Sequence, residues 1–89
     1  MKRYVIERDL PGIGKASPED LKGAAKTSNK AIAEVGDVKW EHSYVTDDKT
    51  FCIYLAKDEE AIRRHAEVSG FPASIITEVH RIIEPATAD

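Results

Sequence analysis

Glu7, His42 and Tyr44 offer a carboxylate, an imidazole and a phenol, the side chains that hold first-row metals or move protons. Imidazole with carboxylate suits a divalent ion such as nickel or zinc, with copper a further option. The same trio can act as an acid–base pocket, His42 being the base and Tyr44 and Glu7 orienting a substrate. Spacing announces neither chemistry, because no His-x-x-x-His pair is present. From residue types alone, a hydrogen-bonded polar layer inside a dimer interface explains the trio more simply.

The remaining reactive groups are weaker candidates. His65 falls on the inward stripe of a helix, where a lone histidine is usually a hydrogen-bonded structural group. His80 lies two residues from Glu78 and reads as solvated surface. Cys52 is the sole thiol, flanked by Phe51 and Ile53, and reads as a small half-buried hydrophobe. No Cys-x-x-Cys is present for redox or copper-chaperone chemistry. Gly12-Ile13-Gly14 lacks the third glycine of a dinucleotide fingerprint and any Gly-Lys-Ser/Thr ending, so it reads as a tight loop.

These groups are positioned by six predicted elements. A strand over Arg3 to Leu10 is closed by Pro11-Gly12. Ser17-Pro18-Glu19-Asp20 opens a helix: Ser17 caps it, Pro18 fits the first turn, and the acids suit its positive end. Leu21, Ala24, Ala25, Ser28, Ile32 and Val35 recur at helical spacing up to the stop at Gly36. A hairpin follows over Val38 to Ala56. Asp58 then caps a second helix that buries Ala61, Ile62, His65 and Ala66 and ends at Gly70-Phe71-Pro72. Ile75 to Glu84 is the last strand, terminated by Pro85, and the tail after it is expected to fray.

The order βαββαβ defines an α+β, ferredoxin-like domain, with two helices on one face of a four-stranded antiparallel sheet. The bare face suits a second copy, so the chain is expected to form a homodimer of the α/β-barrel kind. Ile6 fits the helix side, which sends Glu7 to the open face. For the hairpin, a three-residue turn over Asp47 to Lys49 is preferred. It pairs Tyr44 with Cys52 and His42 with Tyr54, and gathers Trp40, His42, Tyr44, Cys52 and Tyr54 on the open face. A two-residue turn would point His42 and Tyr44 under the helices.

The 89 residues make one domain with an ordered core over 3–85, and a net charge of −3 supplies no basic face for nucleic acid. No apolar run is long enough for a membrane span, and the start lacks the apolar core of a signal peptide. With one cysteine, a reducing cytoplasm is the expected home.

The whole chain also resembles a known family. The stretches that carry the likeness are Tyr4-Val5-Ile6-Glu7-Arg8 with Pro11-Gly12, Trp40-Glu41-His42-Ser43-Tyr44-Val45, Asp47-Asp48-Lys49, Cys52-Ile53-Tyr54, and Glu59 to Ala66 with Gly70-Phe71-Pro72. They are similar to a bacterial family of small nickel-responsive, nickel-binding ferredoxin-like proteins. The resemblance implies a dimer that binds nickel for sequestration or metal tolerance. It makes Glu7, His42, Tyr44 and His65 the candidate ligands, with Cys52 and Tyr54 as further pocket residues. A small cofactor-free enzyme and a non-catalytic assembly module are the competing readings.

Overall fold

The computed structural model describes all of residues 1–89. Strand β1 (Lys2–Asp9) leads through a short 3-10 turn (Ile13–Lys15) into helix α1 (Pro18–Val35). The hairpin β2 (Val38–Val45) and β3 (Lys49–Ala56) follows, then helix α2 (Glu59–Ser69) and strand β4 (Ile75–Val79). The sheet is antiparallel in the order β2-β3-β1-β4.

The helix ends obey their local chemistry. Ser17 accepts from the Asp20 amide while the Asp20 carboxylate accepts from the Ser17 amide, so two free donors are satisfied reciprocally. Asp58 caps α2 through the Ala61 amide, and Gly70 closes it in the left-handed conformation that glycine adopts without strain.

Both helices cover the sheet face that carries Tyr4, Ile6, Arg8, Cys52, Tyr54 and Ala56, all buried. Ala61, Ile62 and His65 of α2 close over that layer, as the helical stripe predicts. Helix α1 seals less well. Only Ser28 and Ala31 are buried on it, and Leu21 remains 37% exposed.

The hairpin differs from its expected register. Tyr44 faces Phe51 and His42 faces Ile53, and the turn is the two-residue Asp47-Asp48. Thr46 fixes it: its amide and hydroxyl both donate to the Lys49 carbonyl, and the Lys49 amide returns a bond to the same hydroxyl. Asp48 is held from outside the hairpin, accepting the Gly12 amide at 2.9 Å. Yet His42 and Tyr44 do not turn under the helices. The shorter turn flips β3 instead, so Phe51, Ile53 and Leu55 take the open face while Cys52 and Tyr54 join the core.

A bulge completes the correction. The pairing steps from Trp40–Tyr54 to His42–Ile53, leaving Glu41 as an extra residue on β2. Trp40 therefore stacks on Tyr54 on the helix side, with ring centroids 6.2 Å apart, although His42 two residues on faces the other way. Glu41 accepts from Arg3 at 2.7 Å.

The last strand is shorter than predicted. It ends at Val79 opposite Arg3, one residue from the start of β1 at Lys2. Beyond it, Pro85–Ala88 forms a 3-10 turn capped by Glu84 and Thr87 where a frayed tail was expected.

The loop after β1 packs directly on the hairpin turn. A Cβ at Gly14 would sit 2.8 Å from Asp47 Cα and 3.0 Å from the Thr46 carbonyl oxygen. Gly23, inside α1, has nothing within 4 Å of that position. Gly14→Ala should therefore lower unfolding stability by about 1–3 kcal/mol. Gly23→Ala should raise it by about 0.5–1 kcal/mol, because alanine loses less entropy in a helix. Urea denaturation of both variants checks the opposite signs.

Candidate functional site

The candidate residues divide between the two faces of the sheet. On the open face the ladder sets Tyr44, Phe51, Glu7 and Ile75 in one row, with His42, Ile53, Val5 and Thr77 in the next. His42 and Tyr44 form a local pair. The imidazole Nε2 lies 3.1 Å from the Tyr44 hydroxyl, and the rings meet edge to face at 5.0 Å between centroids. Both side chains are exposed.

Glu7 shares their face but not their neighbourhood. It lies two strands away, roughly 10 Å across the ladder, with Phe51 and Ile53 between. Its carboxylate is 3.8 Å from Lys49 Nζ, which is also 3.8 Å from Asp9. Ligands about 2 Å from a shared metal must themselves lie within about 4 Å of one another. No group of three His, Cys, Asp or Glu residues in the chain meets that demand. One chain therefore presents an imidazole with a phenol, and a carboxylate apart from them.

His65, Tyr54 and Cys52 lie on the other side of the sheet. His65 is fully buried, and its Nε2 lies 3.2 Å from Ser28 Oγ, which is 3.0 Å from the Tyr54 hydroxyl. Its Nδ1 has no partner. Cys52 is buried, and its thiol donates to Thr50 Oγ1 at 3.6 Å, with no base beside it. His80 follows β4 and lies 3.3 Å from Glu78, remote from the open-face pair.

The buried layer contains a residue that sequence reasoning missed. Arg8 is 2% exposed and reaches Tyr54 and Phe71, its guanidinium carbon 5.9 and 5.8 Å from their ring centroids. Its Nη1 donates to the carbonyls of Pro72 at 2.8 Å and Phe71 at 3.4 Å. The available signal was parity: Arg8 alternates in phase with Tyr4 and Ile6 and must enter the same layer.

Beside Arg8 lies a cavity of about 270 Å³ between α1 and the sheet, lined by Leu21, Ser28, Trp40, Cys52, Tyr54 and Phe71 among others. His42, Tyr44 and Glu7 do not line it, so it is not the acid–base pocket considered for those three residues.

A small α+β domain with two helices on one side of a four-stranded antiparallel sheet is the ferredoxin-like class. Residues 4–79 match the family described as nickel responsive protein SCO4226-like, and the chain belongs to that family. The crystal structure of SCO4226 from Streptomyces coelicolor A3(2) is similar, with a TM-score of 0.76 at 19% identity over 91% of this chain and 99% of that one. No curated protein matches the sequence. No helix is long and apolar enough to cross a membrane.

Burial lowers the pKa of His65 below its ordinary 6.5, and the positive charge of Arg8 lowers it further, against the Ser28 hydrogen bond. The folded chain thus prefers the neutral ring. The stabilisation is complete above pH 6.5 and is lost as pH falls from there through the lower folded-state value. Unfolding free energy should fall between pH 7.5 and 5.5 in the native protein and fall less in His65→Gln. Equal slopes for the two proteins would refute this assignment.

Proposed function

We propose that the protein binds nickel as cargo, for sequestration or metal tolerance, at a site completed by two copies meeting through their open sheet faces. The observation that carries the reading is the exposed His42–Tyr44 pair on the helix-free face of a member of a nickel responsive family. Imidazole is a favoured nickel donor. Since Nε2 is engaged by Tyr44, Nδ1 is the nitrogen assigned to the metal. Tyr44 then orients the ring, as outer-shell partners of metal-bound histidines commonly do.

The incomplete single-chain donor set fits the dimer. A two-fold axis doubles every donor, so imidazoles and carboxylates from both chains become available to one ion. The same face carries apolar side chains that a partner would cover: Val5, Phe51, Ile53 and Leu55 are half-buried, and Ile75 is 50% exposed. We place the protein in the cytoplasm, where its lone buried thiol stays reduced.

Calorimetric titration of the purified protein with Ni²⁺ should show saturable binding that His42→Ala removes at micromolar metal. Tyr44→Phe should weaken it by roughly 10–100-fold. His65→Gln should bind as the native protein does. Native-like binding by His42→Ala would defeat the reading. Sedimentation should give a dimer, and a strict monomer at all concentrations would remove the shared site.

A further inference from the structure

The buried face of Arg8 has a demand that the chain does not meet. Nη1 is satisfied by two carbonyls, but Nη2 is buried without a hydrogen-bond partner, and no carboxylate forms an ion pair with the group. Guanidinium groups stay charged in proteins, and a buried charge without a counter-ion is unfavourable. The faces of Tyr54 and Phe71 offset part of that charge. A trapped water would satisfy the hydrogen bond but not the charge.

Arg8 also lines the cavity, whose other walls are mainly apolar. Ser28, Thr50 and Tyr54 supply hydroxyls, while Trp40, Tyr54 and Phe71 supply aromatic surface. The volume, about 270 Å³, is not quite twice that of a cavity of about 150 Å³ that accepts benzene. Exposed Leu21 of α1 and Val45 of β2 border it, which provides a way in. A ligand for this space must therefore be small and apolar in body, with a single anionic head.

We propose that the cavity binds a small aromatic carboxylic acid, its carboxylate pairing with Arg8 and its ring lying among Trp40, Tyr54 and Phe71. The site is on the opposite side of the sheet from His42 and needs no metal. Its success or failure is independent of nickel binding.

Trp40 is the sole tryptophan and lines the cavity, so its fluorescence reports occupancy. With chelator present, 4-isopropylbenzoate should change that emission saturably. The neutral amide, 4-isopropylbenzamide, should bind roughly ten- to a hundredfold more weakly, because it lacks the charge-assisted bond to Arg8. Arg8→Met should abolish the difference between acid and amide. Ala24→Leu, which fills the cavity from α1, should weaken the acid at least about tenfold and decides the matter if Arg8→Met does not fold. No saturable change at millimolar acid, equal affinity for acid and amide, or undiminished acid binding by Ala24→Leu would overturn the proposal.

Discussion

Trp40 packs on Tyr54 beneath the helices, and His42 lies opposite Ile53 on the bare face. In an unbroken strand those two residues would point the same way. One extra residue, Glu41, separates them, and much of the arrangement depends on that bulge. It lets the indole complete the core while the imidazole and the Tyr44 phenol stay outside. Arg3 holds Glu41 at 2.7 Å. An ion pair this exposed contributes at most about 1 kcal/mol, so the bulge is secured mainly by the ladder on either side and by Trp40 in the core.

The division that follows gives the molecule two chemically different halves. The open face has exposed donors, apolar neighbours and no cover. The helix side has a buried polar layer, Tyr54, Ser28, His65 and Arg8, of which all but His65 line the cavity under α1. The second half accounts for the weak sealing of α1, because Leu21, Ala24 and Ala25 border the cavity. It also explains why His65 is kept apart from His42: the sheet lies between their environments.

Element order, both helix caps, the Gly36 and Gly70 stops and the open-face position of Glu7 were legible because each rests on local chemistry or simple alternation. The hairpin was not. Its turn is set by Thr46 bonding to Lys49 and by Asp48 bonding to Gly12, and the second of these is a tertiary contact that no period reports. With the turn one residue too long, Cys52 and Tyr54 were assigned to the wrong face, and the bulge misplaced Trp40 as well. His42 and Tyr44 kept their face although the reason given for it was mistaken. A sequence signal did exist: strict alternation with His42 puts the charged Glu41 on the helix side, and such a misfit is what a bulge relieves. Arg8 was given no role, although its phase with Tyr4 and Ile6 carries it into the buried layer.

The chain has three histidines in three settings: His42 on the open face, His65 in the core and His80 beyond β4. Their imidazole resonances therefore separate the environments within one NMR experiment. On stepwise addition of Ni²⁺, the His42 signals should shift or broaden first, followed by amides of β2 and β3 around Tyr44 and Phe51, while His65 and His80 hold their positions. If His65 or His80 responds first and His42 is unmoved, the open face is not the nickel-binding surface.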